Sequence, residues 1–316
     1  MILVNKQLKQ WIKTVAKLSD ATSKTRRRPR KARLVERKVF IMPILGCHLS
    51  DHNGFVSMGT EAVGLNTQTF QFFTRNPRGG KAKTWDSGDE KAYIEYAEEN
   101  HLSPFVAYAP YTINPASGDQ QEADFARLVM SEDLARLDVF PASFYALRPG
   151  SVATDENHQQ GIYRVINALN EVIEPTHKSQ VLIITTAGSG HEIGSTLSEM
   201  KAMLEGIKPE YHVGACLDTT AMWNAGYDLK NNLDKVIEEV DKTIGLDNVK
   251  AVHLADPKYG LGSHHTNHMD LGQGELGLEG LSAVFHHPAL ADKTFILETP
   301  HDAMDVYAKA IAALEK

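Results

Sequence analysis

At 316 residues and 42% hydrophobic content, the chain is long enough for one large α/β domain, and nothing in it demands two. Its formal net charge of -7 hides an asymmetry: the first 40 residues carry thirteen Lys and Arg against Asp20 and Glu36, a surplus of +11, which leaves the remainder at -18. An acidic body lacks the basic face usual in nucleic-acid binders, although net charge does not fix how its Lys and Arg are arranged. Two cysteines exclude a disulfide framework, and no apolar stretch is long enough to span a bilayer.

In chain order, residues 1–19 place Leu3, Val4, Leu8, Trp11, Ile12, Val15 and Leu18 at near-helical spacing with lysines between them, predicting a basic amphipathic helix. Residues 24–33 are Arg-rich and interrupted by Pro29, which predicts a solvated linker. Such a segment reads as a transit peptide, a nucleic-acid arm, or a stretch preceding a native start at Met42. Residues 1–41 are therefore expected to be a basic extension, flexible or an isolated helix, and 42–316 the folded domain.

From Met42, apolar runs alternate with helix-length segments. Strands are expected near 42–47, 67–73, 104–108, 139–147, 180–184, 212–217, 249–253 and 294–298, with helices between them such as 121–137 and 229–244. Eight βα units in this length predict a single (β/α)8 TIM barrel. Cys47 and Cys216 fall inside the apolar runs, as buried thiols of a reducing, cytoplasmic compartment would.

Three of the runs end on a polar residue: Asp218 in VGACLD, His253 in VKAVH and Glu298 in TFILE. An ionised group at the end of a doubly buried strand is costly unless it meets a partner. In a closed barrel the strand C-termini converge on one mouth, so the three make an oxygen, nitrogen, oxygen set for a divalent metal. The plainer alternative has Asp218 and Glu298 capping the following helices and His253 satisfied in the core.

From about residue 44 to 310 the chain resembles endonuclease IV, the metal-dependent apurinic/apyrimidinic endonuclease family of base-excision repair. The resemblance runs collinearly through GCHLS (46–50), FFTRNPRG (72–79), APYTIN (109–114), RPGS (148–151), TTAGSGHEIG (185–194), VGACLDTTAMWNAGYDL (213–229), VHLADPKYGLGS (252–263), HMDLGQGELG (268–277) and ILETP (296–300). It implies a barrel mouth holding three zinc ions. It also implies that Asp218, His253, Glu298 and His268 stand at ligand positions, whereas Tyr108, Arg148, Ile184, Ala221 and Thr266 stand where ligands have been replaced. Arg78, Tyr111 and Asn114 match the set with which the family probes an abasic duplex. Tyr111 otherwise reads as a barrel-rim residue and Arg78 as a surface charge.

At Arg148 a guanidinium is able to hold a phosphate or carboxylate through two parallel hydrogen bonds, or else to form a salt bridge to Asp218 or Glu298. His264 and His265 are either substitute ligands or solvated loop residues. The expectation is at most one divalent ion (Zn, Mn or Mg), or none. Four functional readings follow: an endonuclease IV-like barrel engaging abasic or damaged DNA with weak or lost hydrolysis; a single-metal sugar-isomerase-like enzyme on a small polyol or keto-sugar; a metal-free binding protein; and a fully active zinc enzyme using replacement ligands.

Overall fold

A computed structural model of the chain describes residues 43–300 and 304–314; the expected basic extension lies outside them. Eight parallel strands close into a barrel in the order β1 (Ile44–His48), β10 (Thr294–Leu297), β7 (Val249–Leu254), β6 (Gly214–Asp218), β5 (Ser179–Ile184), β4 (Ser143–Leu147), β3 (Val106–Tyr108) and β2 (Thr69–Phe73). This is the expected TIM barrel. A two-stranded ribbon, β8 (Asp256–Pro257) against β9 (His268–Met269), rises above it and has no counterpart in the sequence reading.

The chain returns between barrel strands through α1 (Phe55–Gly64), α2 (Ser87–Glu99), α3 (Gln120–Leu137), α4 (His158–Val172), α5 (Leu197–Gly206), α6 (Thr219–Ala225), α7 (Leu233–Ile244) and α8 (Gly277–Phe285), and α9 (Met304–Leu314) follows β10. Side-chain caps fix several starts: Asp86 for α2, Asp119 for α3, and capping boxes at Asn157 for α4 and Thr196 for α5.

Where edges differ from expectation, a local cause is visible. The run at 139–147 enters the ladder only at Ser143, because Pro141 has no N–H to give. β6 starts at Gly214 because His212 takes a left-handed conformation that ends the preceding turn. The helix expected from residue 229 begins at Leu233, since the Asp228 carboxylate accepts the backbone N–H groups of Lys230 and Asn231 and holds a turn there.

Two apolar clusters result. The larger lies between strands and helices and includes an aromatic group of Phe55, Phe70, Phe72, Tyr93, Phe105 and Phe140. The smaller fills the lumen with Val106, Tyr108, Ala146, Leu182, Ile184, Cys216, Ala251 and Ile296. Successive side chains of a strand point to opposite faces, so a residue two places beyond a lumen residue also points inward, one layer nearer the mouth. Arg148 follows Ala146 in this way, Asp218 follows Cys216, His253 follows Ala251 and Glu298 follows Ile296.

Candidate metal centre

The pleat brings Asp218, His253 and Glu298 together, with one ligating atom from each within 4.8 Å of the others; it is the one such group of three among the described residues. His253 is fully buried, Asp218 buried and Glu298 nearly so. The His253 Nδ1 stands 3.9 Å from Asp218 Oδ2 and 3.5 Å from Glu298 Oε1. These are electrostatic contacts rather than good hydrogen bonds, and Nδ1 is a buried polar atom without a hydrogen-bond partner among the described residues.

Gln71, fully buried in the middle of β2, determines what that nitrogen can do. Its Nε2 donates to Glu298 Oε1 at 2.6 Å, its Oε1 lies 2.8 Å from His253 Nε2, and Nε2 also meets His48 Nδ1 at 3.0 Å. An ionised carboxylate only accepts, so the amide must turn its NH2 to Glu298 and its oxygen to His253. His253 Nε2 then carries a proton, so that Nδ1 holds the lone pair directed at the two carboxylates whenever the imidazole is in its neutral form. A buried lone pair beside two carboxylate oxygens suits a divalent cation, and an amide orienting the ligand histidine is a common outer partner of such sites.

Asp218 serves two purposes: Oδ1 accepts the Ala221 N–H at 2.8 Å and caps α6, while Oδ2 faces His253. The capping alternative therefore holds for this residue, and the cap leaves Oδ2 turned toward His253. Burial alone would raise the Asp218 pKa, but His253, the Ala221 N–H and Arg148 outweigh it and pull the carboxyl below its usual value. Burial likewise disfavours a charged His253, yet Cys216, Glu298 and Asp218 overcome it and push the imidazole pKa well up.

The β3 to β5 side of the mouth is built differently. Ile184 is buried and offers no donor atom, and Tyr108 is buried with its hydroxyl accepting a 3.0 Å hydrogen bond from Arg148 Nε. Arg148 Cζ lies 5.3 Å from the centre of the Tyr111 ring. Among the described residues no carboxylate stands within ion-pair distance of Arg148, so the expected salt bridge to Asp218 or Glu298 does not form. The Tyr108 ring joins the two sides, stacking on Phe73 at 5.2 Å and tilting against His253 at 5.5 Å. Arg148 stays firmly charged: the Tyr108 oxygen is the largest influence, and Asp218 adds to it against an opposing effect of burial.

A family described as xylose isomerase-like TIM barrel matches residues 60–316. The chain is 45% identical over 271 residues to a probable endonuclease 4 of Clostridium beijerinckii, covering 86% of this chain and 97% of the relative. A probable endonuclease 4 of Alkaliphilus oremlandii is 43% identical over 258 residues, 82% of this chain and 92% of that one. The chain belongs to the endonuclease IV family. The crystal structure of endonuclease IV from Thermus thermophilus superposes with a TM-score of 0.77 at 28% identity, over 86% of this chain and 98% of that one. A D-tagatose 3-epimerase-like protein, at 14% identity and a TM-score of 0.65, shares the fold alone.

Within this endonuclease IV relative, Arg78, Tyr108, Tyr111, Asn114, Arg148, Thr266 and His268 line one cavity of about 800 Å³. Arg78 and Tyr111 reach its solvent side, Tyr111 being 53% exposed. Asn114 is committed elsewhere: its amide donates to the Ser151 carbonyl and accepts from the Ser151 N–H, both at 3.0 Å, pinning the β3 loop to the β4 loop. Gly150 accommodates this at φ +96, where an added Cβ would collide with Asn114 Oδ1. His268 sits in β9 and does not join the triad. Thr266 is exposed on the loop before it, and Ala221 contributes only its backbone N–H to Asp218. Neither neighbouring loop histidine joins the triad: His264 Nδ1 meets the Ala187 carbonyl at 2.7 Å and His265 packs on Tyr259.

Two buried carboxylates that position the mouth loops were not evident from sequence. Asp133 on α3 takes hydrogen bonds from Thr74 at 2.6 Å, Arg75 at 2.9 Å, Arg136 at 3.1 Å and Tyr145 at 3.3 Å. Those arginines hold the carbonyls of Gly80 and Lys83, and so the segment that carries Arg78. Asp256 instead accepts four backbone N–H groups, from Gly272, Gly274, Leu276 and Gly277 at 2.8–3.1 Å, and shapes the segment following His268. Cys47 and Cys216 are both buried, and among the described residues no helix is long and apolar enough to cross a membrane.

Proposed function

We propose that this protein engages abasic or damaged duplex DNA at the barrel mouth, holds one divalent cation through Asp218, His253 and Glu298, and hydrolyses the phosphodiester only weakly. The observation that carries the reading is the contrast between the two sides of the rim: three converging ligand atoms, among them a buried Nδ1 without a hydrogen-bond partner, on one, and Tyr108, Arg148 and Ile184, with no metal-binding set among the described residues, on the other. Zn, Mn and Mg all suit such a mixed oxygen and nitrogen set with open positions.

When bound, the ion supplies Lewis-acid polarisation of a phosphoryl oxygen. Gln71 orients His253 and Glu298 toward it, and Asp218 is fixed by the α6 N-terminus. Multi-metal phosphodiester hydrolysis stabilises both the attacking and the leaving oxygen, and a single cation seat leaves one of them without a metal. Loss of one preorganised electrostatic contact typically costs about 10²–10³ in rate. Exposed Tyr111 and Arg78 suit a wedge, since a missing base lowers the cost of opening the stack. Reduced thiols at Cys47 and Cys216 suit a cytoplasmic setting.

The test compares the full chain with the Thermus thermophilus enzyme on abasic and intact duplex at one stated low salt concentration. We expect tighter binding of abasic duplex, erased by combined Tyr111→Ala and Arg78→Ala, and nicking at least about 10²-fold slower than the comparator. Robust zinc-dependent nicking that Asp218→Ala abolishes would show the catalytic half of the reading to be wrong. Equal affinity for both duplexes would remove the DNA half.

A further inference from the structure

Arg148 is half-buried and permanently charged, yet among the described residues no carboxylate stands within ion-pair distance of it, and Asp218 acts on it only from farther off. Its Nε is committed to Tyr108 at 3.0 Å, and Tyr108 is clamped by its stack on Phe73. The guanidinium carbon lies over the exposed Tyr111 ring, 5.3 Å from its centre. Among the described residues neither Nη finds a protein acceptor, and the residue lines the mouth cavity of about 800 Å³. A desolvated cation without a partner is expensive unless a ligand supplies the anion. The two glutamates lining the same cavity are held elsewhere: Glu122 accepts the Ser117 hydroxyl at 2.7 Å, and Glu192 accepts the Ser189 N–H at 3.0 Å.

We propose that Arg148 forms a metal-independent seat for a phosphoryl oxyanion, gripped by its two Nη groups and oriented by Tyr108. A planar fork with two free donors matches paired phosphoryl oxygens, and its orientation is fixed before the ligand arrives. Ser151 lines the same cavity and adds a hydroxyl donor, whereas the Thr186 hydroxyl already donates to the Ile193 carbonyl at 2.9 Å. Tyr111 beside the fork provides a flat apolar surface for the sugar attached to the phosphate, as in a nucleotide unit. The seat deepens the DNA reading and rests on it in part, since a backbone phosphodiester is one source of the oxyanion and a free phosphate is another.

The experiment uses the full chain treated with EDTA. Orthophosphate is titrated by ³¹P NMR, and a duplex containing a tetrahydrofuran abasic analogue by fluorescence anisotropy, for wild type, Arg148→Gln, Arg148→Lys and Tyr108→Phe. The basic N-terminal residues are present in every sample, so only differences between variants count. We expect Arg148→Gln to weaken at least one probe by about tenfold or more, and Arg148→Lys to restore only part, because a point charge lacks the fork. Tyr108→Phe, which frees Nε, is expected to weaken binding by a few-fold. An effect on orthophosphate identifies a seat open to free phosphate, and an effect confined to duplex identifies the backbone diester.

Wild-type affinity for both probes in folded Arg148→Gln overturns the seat, as does wild-type chain that binds neither. Where Arg148→Gln does not melt cooperatively, unchanged binding in both Arg148→Lys and Tyr108→Phe overturns it equally. Arg148-dependent orthophosphate binding without any preference for abasic duplex would leave the seat standing while the DNA reading falls.

Discussion

The two sides of the barrel mouth are made by the same device and have opposite chemistry. On the β6, β7 and β10 side, the residues two places beyond Cys216, Ala251 and Ile296 are an aspartate, a histidine and a glutamate, and the two carboxylates converge on the buried Nδ1 of the histidine. On the β3 to β5 side, the same step leads to Tyr108, Arg148 and Ile184, which yield an aromatic plug, a cation and a hydrocarbon wall. The backbone therefore fixes only where rim residues point. Their identity decides whether a place holds a cation, an anion or nothing.

The largest test bears on what supports the cationic side. Asp133→Ala leaves Arg75 and Arg136 without their shared buried carboxylate, and breaking a buried ion pair costs about 3–5 kcal/mol. Urea unfolding should show that loss while metal affinity per folded molecule stays unchanged. A loss below about 1 kcal/mol, the scale of an exposed ion pair, would mean that the segment bearing Arg78 is held by something else.

Next in size is the anionic side itself. Asp218→Ala should weaken divalent-metal affinity by at least about 100-fold and also remove the α6 cap, worth roughly 0.5–2 kcal/mol. Asp218→Asn separates the two roles: asparagine caps as well, so stability should hold while metal affinity falls. Calorimetric metal titration alongside thermal melting reads both, and equal losses in the two variants would contradict the division of labour.

Gln71→Leu is expected to do less. Removing an outer-sphere partner of a ligand typically costs about 10–100-fold in metal affinity, and here it frees both His253 and Glu298. An unchanged dissociation constant would show that the imidazole is oriented without the amide.

The smallest effect is a pH dependence. Burial opposes a charged His253, but Cys216, Glu298 and Asp218 outweigh it and raise the pKa well above its ordinary 6.5, so a proton competes with the metal even at neutral pH. Metal affinity should then keep rising as pH increases past 6.5, by up to about tenfold per unit. The sign follows from the raised value: protonated imidazole has no lone pair on Nδ1, and that form persists to higher pH than in an ordinary histidine. A plateau already reached at pH 6.5 would contradict it.

These differences also explain what the sequence revealed. The triad was legible because each member ends a short, mostly apolar run, where a polar residue stands out. Gln71 was not, since TFQFF reads as an ordinary strand and only the closure of the barrel places the amide against His253, 182 residues away. Asp133 and Asp256 lie among many acidic residues, and their roles depend on partners 58 and 59 residues away in one case and on a glycine-rich turn in the other. The cation at Arg148 was legible as a residue, but the lack of an ion pair to it among the described residues emerged only from geometry.

Metal stoichiometry tests the central contrast most directly. Elemental analysis of the full chain, equilibrated with zinc or manganese and passed through a desalting column, should give no more than one tightly bound ion, and Asp218→Ala should abolish it. Two or three ions per chain would contradict the account, because the Tyr108, Arg148 and Ile184 side would then have to bind metal through residues that this geometry keeps apart.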